Sequence, residues 1–202
     1  MEAADDPSSN VKDNGLSLFL SDRPRFKLYC AGRHLFNLKS LEQKYGSITA
    51  IEARMQAEIE IDCILAEIAS AVDSLLFQIN KKFDLGLDIS QTDFERVQSG
   101  LSSRTKKIDL LAELDAARQH GNWYWQIIEL KNYSLHGSLI SESAIGYSFS
   151  YSSSRVHFKR DPRKPALSPP MDLEIVPYLQ QCLSRAEELI ERIRSKESIL
   201  RP

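Results

Sequence analysis

The chain has 202 residues, of which 42% are hydrophobic and 27% are charged, and its formal net charge is -2. These values are ordinary for a globular protein and fit one domain with ragged ends, or one domain with a small appendage. The net charge excludes a general electrostatic attraction of the protein to nucleic acid or to an anionic membrane. Any such affinity therefore has to come from a local patch. No apolar run approaches the roughly 20 residues of a membrane span, and the acidic N-terminus is unlike a secretory signal. A cytoplasmic location is therefore expected.

The cysteines and histidines do not form a recognisable ligand set. The chain has three cysteines, which are far apart in the sequence: Cys30, Cys63 and Cys182. No pair of them has the spacing of metal ligands, and the histidines show no such spacing either. We expect reduced thiols, no metal and no cofactor.

The N-terminal fifth of the chain divides into two parts. Residues 1–22 are polar and acidic and are interpreted as a disordered tail. Residues 23–46 contain a single acidic residue and six basic ones: Arg23, Arg25, Lys27, Arg33, Lys39 and Lys44. Their periodicity is unclear, so they are interpreted as a basic N-terminal arm, with a short strand or an irregular segment before a short helix near 35–44. A helical bundle is expected to fill residues 47–202.

The clearest predicted element is a long helix from Thr49 to Lys82. Thr49 and Glu52 have the spacing of a capping box. The apolar residues then recur at steps of three and four: Ile51, Met55, Ile59, Ile61, Ile64, Leu65, Ile68, Val72, Leu75, Leu76 and Ile79. A helix of about 35 residues spans about 52 Å at 1.5 Å per residue. Since that exceeds the diameter of a compact domain of this size, part of the apolar stripe is expected to be buried in a homodimer.

Two shorter helices are predicted next. A second capping box opens at Thr92, and its helix has three apolar residues on one face: Phe94, Val97 and Leu101. Residues 104–119 predict a further helix with a buried face: Ile108, Leu111 and Leu114. The sequence His-Gly-Asn at 120–122 is expected to end this helix, and Asn122 is suited to cap the helix that follows.

That following helix, "WYWQIIELKNYSLHGSLI", is expected to end near Gly137. At about 100° per residue, one arc is apolar: Trp123, Tyr124, Ile127, Ile128, Leu130 and Leu135. The other arc is polar: Gln126, Glu129, Asn132, Tyr133 and His136. Lys131 points about 140° away from His136, towards the apolar arc. A histidine oriented by Asn132 can act as a general base or acid near neutral pH, although a polar face of this kind is most often simply solvated.

The C-terminal quarter predicts a β-hairpin and a last helix. Alternating aromatic residues before and after "SSS" have the period of two that indicates two antiparallel strands. A proline-rich basic loop follows, and a helix begins within 172–177 and runs to about 198. The predicted fold is therefore all-α, an antiparallel up-and-down bundle of four to five helices with a small β-hairpin inserted before the last helix.

The long helix, the middle pair, the helix ending "LKNYSLHG" and the closing helix together resemble the HEPN superfamily over roughly residues 48–198. The family hallmark is Arg, four to six residues, then His, often with a polar residue directly after the Arg. Here Asn132 and His136 match the polar and histidine positions. The resemblance implies a homodimer and a metal-independent endoribonuclease of a toxin–antitoxin or defence system. In that chemistry His136 activates a ribose 2′-OH, and Lys131 stabilises the charge that develops on the phosphate.

Two departures from the family pattern matter. Lys131 replaces the arginine, and lysine lacks the planar fork that binds phosphate in a bidentate manner. Some family systems pair with a nucleotidyltransferase-type antitoxin that modifies a tyrosine two residues after the histidine. Such a partner is implied, but Ser138 occupies that position, so the modification is not predicted.

Three functional interpretations stay open at this point: a dimeric HEPN-like ribonuclease, a catalytically silent HEPN-like binding or dimerisation bundle, and an unrelated helical adaptor. RNA contact is favoured by a basic stretch after the motif, although charged loops are usually only solvated: Arg155, Lys159, Arg160, Arg163 and Lys164.

Overall fold

The computed structural model describes residues 20–45, 51–136, 145–150, 153–158 and 173–200. For the two long strands and for Tyr45, Ile51, Ile108, His136 and Leu173, only the backbone is described. Within these ranges six α-helices have both ends defined: α1 Arg23–Tyr45, α2 Ile51–Lys82, α3 Phe94–Gly100, α4 Ala112–Arg118, α5 Trp123–His136 and α6 Ile175–Lys196. The strands are β1 Ile145–Ser150, β2 Ser153–Phe158 and β3 Leu173–Glu174.

Helix α1 is an integral part of the bundle. It runs antiparallel to α2, as two contacts across the seam show: Lys27 Nζ lies 2.9 Å from a Glu67 carboxylate oxygen, and His34 Nδ1 lies 2.7 Å from Glu60 Oε2. Its inward side chains are buried in the common core: Leu28, Ala31, Leu35 and Leu38. The interpretation of residues 23–46 as a separate, partly irregular arm is therefore wrong. The basic residues obscured a helical stripe because they lie on its outer faces.

Helix α2 is continuous over its 32 residues, which confirms the predicted long helix. From Ile61 to Ile79 its apolar stripe is buried throughout. The first part of the stripe was predicted wrongly, because Met55 is 60% exposed and Ile59 is 57% exposed, whereas Ala53 and Ala57 are buried. The predicted cap at Thr49 lies outside the described residues.

The buried Asn80 side chain closes the chain reversal after α2. Its amide nitrogen donates to the Leu87 carbonyl at 2.7 Å, and its Oδ1 accepts from the Leu87 amide at 3.2 Å. Asp84 and Gly86 adopt positive φ values of 49° and 70° in the same turn. The turn therefore depends on a side chain as well as on a glycine, which adopts a positive φ without strain.

The stretch between residues 94 and 118 is more broken than predicted. Asp93, and not Thr92, caps α3, since the Asp93 carboxylate accepts from the Arg96 amide at 2.8 Å. A π-helical turn over Leu101–Thr105 ends at Lys106, which has a positive φ of 55°. A 3-10 turn over Ile108–Leu111 then leads into α4. The single helix predicted for 104–119 is thus replaced by two shorter helical segments.

The fold-class prediction is right in being all-α in the core and wrong in its details. The described residues hold six bounded α-helices in place of four to five. The strands do not form an isolated two-stranded hairpin, because Leu173–Glu174 pairs antiparallel with β2 and gives a three-stranded sheet in the order β1-β2-β3. A two-residue strand has too few residues to show a period of two, so the sequence could not reveal it.

Helix α6 completes the core and holds Asp22, the residue just before α1, in place. Its start at Ile175 and its buried stripe from Leu179 to Ile193 confirm the prediction for the last helix. Near its end, Arg194 donates to both Asp22 carboxylate oxygens, at 2.9 and 2.5 Å, and to Gln78 Oε1 at 3.0 Å. Asp22 and Arg194 are both buried. Asp22 is therefore not part of a disordered tail; residues 1–19 lie outside the described part of the chain.

None of the helices in the described ranges combines the length and the apolar character that crossing a membrane requires.

Candidate functional site

Helix α5 carries the KNYSLH motif and contacts its neighbours with more of its circumference than predicted. Tyr124, Ile127 and Leu130 are buried as expected. Two residues of the predicted polar arc also contact protein: Tyr133 lies against the core, and Gln126 Oε1 accepts from the Tyr178 hydroxyl at 3.1 Å. Leu135, assigned to the apolar arc, is 64% exposed. The two-arc prediction for this helix is therefore only partly right, because α6 covers one flank and nothing in the described chain covers Leu135.

Lys131 and Asn132 lie in different surroundings. The half-buried Lys131 side chain lies near the Asp73 carboxylate of α2. Burial raises the pKa of Asp73, and the Lys131 ammonium opposes that rise. Asn132 is exposed. Within one chain the structure does not bring these two candidate catalytic side chains together, in agreement with the 100° spacing.

His136 is the last residue of α5, and its side chain is not described. Two residues earlier, Ser134 Oγ donates to Asp62 Oδ1 of α2 at 2.5 Å. Burial raises the pKa of Asp62, while the Ser134 hydrogen bond lowers it. This contact anchors the C-terminal turn of α5 against α2.

The predicted RNA-binding residues are located only in part. Arg155 lies in β2, where its backbone is opposite Ser148 of β1. Lys159, Arg160, Arg163 and Lys164 lie outside the described residues. Their joint role as an RNA-binding stretch stays a prediction.

One large concave surface of the described chain was not predicted. It is a groove of about 1490 Å³ along the C-terminal half of α2, here called the α2 groove. Its apolar floor includes six side chains: Val72, Leu76, Phe94, Leu114, Tyr124 and Ile128. Its charged rim includes six more: Asp73, Lys81, Lys82, Asp93, Glu95 and Arg118. A sequence pattern could not reveal this groove, because its lining comes from six separate segments of the chain.

Tyr124 is the unusual polar group of the α2 groove. The residue is only 3% exposed and lines the groove. Burial raises its pKa well above the ordinary value, the Asp73 charge adds to the rise and Arg118 opposes it. Tyr124 therefore keeps its proton at neutral pH, and its hydroxyl can donate to a ligand in the groove.

Arg118 and Phe94 form one wall of the α2 groove. The Arg118 guanidinium lies 4.0 Å from the centroid of the Phe94 ring and donates to Glu95 at 2.6 Å. Phe77, on the opposite helix, is 38% exposed. The groove thus offers aromatic faces beside charges of both signs, a combination that suits an amphipathic ligand.

No metal centre is found in the described ranges, where no group of three or more His, Cys, Asp or Glu residues could hold an ion. Cys30 and Cys63 are half-buried, Cys182 is buried, and all three are free.

Comparison with known proteins does not identify the chain. No model of a known protein family matches it, no curated protein matches it, and no solved structure matches it. The resemblance of the KNYSLH helix to the HEPN pattern stays a prediction.

Proposed function

We propose that the protein is a non-catalytic binding module on a HEPN-like helical bundle, and that the α2 groove binds an amphipathic polypeptide segment. The α2 groove is the observation that carries this proposal. Its volume exceeds the roughly 300–1,000 Å³ of typical small-molecule sites. An apolar floor between charged rims fits the mode in which an amphipathic helix places its apolar face in a groove.

The chemistry of the groove indicates how such a segment would be held. Leu76, Phe77 and Phe94 provide apolar and aromatic contacts for side chains spaced by three and four residues. The Tyr124 hydroxyl can donate to a carbonyl or a polar side chain of the segment. A hydrogen bond of this kind contributes about 0.5–1.5 kcal/mol, so it would add specificity to an interaction that apolar burial dominates.

Peptide selection tests the proposal directly. Peptides selected from a displayed random library on the wild-type protein should bind wild type and should lose binding on Phe77→Asp. Tyr124→Phe should weaken the same peptides by about 2- to 10-fold. Ile59→Asp is the matched control, because Ile59 is an exposed apolar residue of the same helix that is absent from the groove lining. Selected peptides that bind Phe77→Asp as tightly as wild type would overturn the proposal.

A metal-independent ribonuclease is the second candidate. It is favoured by the exposed Asn132, which precedes the end of α5 at His136 by one turn. The separation of Lys131 from Asn132 within one chain counts against it unless a second copy supplies the basic group. A homodimer, an RNA substrate, an antitoxin partner and a cytoplasmic location belong to this candidate and stay proposals.

Cleavage of single-stranded RNA with EDTA present separates the two candidates. A ribonuclease should lose activity in His136→Ala with an almost unchanged melting temperature, and Lys131→Arg should keep or raise activity, since the guanidinium fork binds phosphate better. Light scattering at micromolar concentration should then show a dimer. Equal inertness of wild type and His136→Ala on varied RNAs would exclude the ribonuclease and leave the binding module.

A further inference from the structure

The chain enters the bundle at the edge of the α2 groove. Ser21, Asp22 and Arg23 line the groove, and Leu20 is 47% exposed beside them. The buried contact of Asp22 with Arg194 and Gln78 holds this entry point against α2 and α6. The described part of the chain therefore begins beside the groove.

The residues just before this point are apolar, unlike the rest of the N-terminal segment. Residues 15–20 read "GLSLFL", whereas residues 1–14 contain four acidic residues: Glu2, Asp5, Asp6 and Asp13. Burying a leucine or phenylalanine side chain contributes about 1.5–3 kcal/mol relative to leaving it in water. Leu16, Leu18 and Phe19 consequently favour an apolar surface within reach.

The α2 groove is an apolar surface close enough for these side chains to reach. Leu16 is five residues from Ser21, and five residues of extended chain span at most about 18 Å, so the α2 groove is within reach of residues 16–19. A short tether gives an effective concentration in the millimolar range.

We propose that residues 16–19 of the same chain bind in the α2 groove as an internal ligand. Their apolar side chains contact the floor around Leu76 and Phe77, beside the Tyr124 hydroxyl. This inference rests on the proposed binding function and adds a regulatory step, because an external segment must displace residues 16–19 before it can bind.

Photocrosslinking in the full-length chain tests the occupant itself. With p-benzoylphenylalanine at position 19, ultraviolet light should crosslink that position to α2 residues between 72 and 82 of the same chain. The same group at position 11 is the matched control and should crosslink to this stretch far less. A mixture of isotopically labelled and unlabelled chains distinguishes the sources, and crosslinks that join different chains would overturn the proposal in favour of a second copy.

Competition measures the effect of the internal ligand. Phe19→Asp in the full chain should raise the affinity for a library-selected peptide about 10-fold, provided the effective concentration is about ten times the intrinsic dissociation constant. Val11→Asp places the same charge outside the apolar run and should leave the affinity unchanged.

The outcomes distinguish the two proposals. If Phe19→Asp does not change peptide affinity and position 19 does not crosslink to α2, while Phe77→Asp still abolishes binding, the internal ligand is excluded and the binding function stands. If Phe77→Asp leaves peptide binding intact, the groove is not the binding surface, and both proposals fail.

Discussion

The two halves of α2 have the same apolar spacing and opposite surroundings. Between Ile61 and Ile79 the stripe is buried against α1, α5 and α6. In the first turns Met55 and Ile59 face outward, and the buried positions are the small residues Ala53 and Ala57. Sequence periodicity identifies residues that share a helix face, but only neighbouring elements determine whether that face is covered.

Both halves of α2 bring polar groups into the interior. Near its end, Gln78 accepts from Arg194 in the buried cluster with Asp22, and the buried Asn80 closes the following turn. Near its start, Glu58 is buried, and Asn37 donates to Glu60 at 3.3 Å in the half-exposed seam with α1. The two halves therefore differ in their apolar coverage and in the buried ion pair that lies beside the C-terminal half.

The largest expected effect comes from breaking the buried ion pair. Asp22→Ala removes the carboxylate 2.5 Å from the buried Arg194 guanidinium, while the exposed Glu191 carboxylate remains 3.8 Å away, and should reduce the free energy of unfolding by about 3–5 kcal/mol. Glu95→Ala removes an exposed partner of Arg118 and should cost about 0–1 kcal/mol. Urea denaturation of both variants checks the difference. Equal losses would mean that the Asp22 pair is solvated and does not anchor the chain entry.

A matched pair of truncations compares the buried stretch of α2 with its outward-facing start. Leu65→Ala should cost about 2–5 kcal/mol, because Leu65 is fully buried and its loss leaves a cavity. Ile59→Ala should change stability by no more than about 0.5 kcal/mol in the monomer. Both values come from urea denaturation at low protein concentration. A large, concentration-dependent loss for Ile59→Ala would instead show that a second copy covers this face.

Removing the N-terminal cap of α3 should reduce stability less than the substitutions above. Asp93→Ala removes the acceptor of the Arg96 amide and should cost about 1 kcal/mol. Thr92→Ala is the comparison, since its hydroxyl donates to the Asp88 carbonyl and accepts from the Asn80 side chain at 3.3 Å, and does not cap the helix. Thermal denaturation compares the two variants. An unchanged melting temperature of Asp93→Ala would mean that the Asp93 carboxylate does not stabilise α3.

The smallest expected effect is a pH dependence at Asp62, near the junction of the two halves. Burial holds the pKa of Asp62 above its ordinary value of 3.8, so the folded chain retains a proton that the unfolded chain releases. The free energy of unfolding should therefore fall as pH rises from about 3.8 through the raised folded pKa. Asp62→Asn should lack this fall.

Urea midpoints of wild type and Asp62→Asn between pH 3 and 7 check this prediction. Ser134→Ala removes the hydrogen bond that lowers the pKa of Asp62, so it should shift the fall to higher pH. A wild-type advantage over Asp62→Asn that grows with pH would contradict the assigned direction.

The sequence by itself determined the local elements of this protein. The unbroken stripe from Ile61 to Ile79, the break at Gly121 and the start of α6 near Pro177 follow from helical periodicity and from residues that favour or stop a helix. It also placed Lys131 and Asn132 on different sides of α5, since the angle between neighbouring residues of a helix is fixed.

Only the tertiary structure decided which faces are covered and which distant groups meet. It turned Met55 and Ile59 outward, placed α1 in the core and brought Asp22 to Arg194, 172 residues later in the chain. It also assembled the α2 groove around Tyr124 from six segments. Such contacts depend on how helices pack across long sequence separations, and the residue spacing within one helix contains no information about the side chains that another segment brings to it.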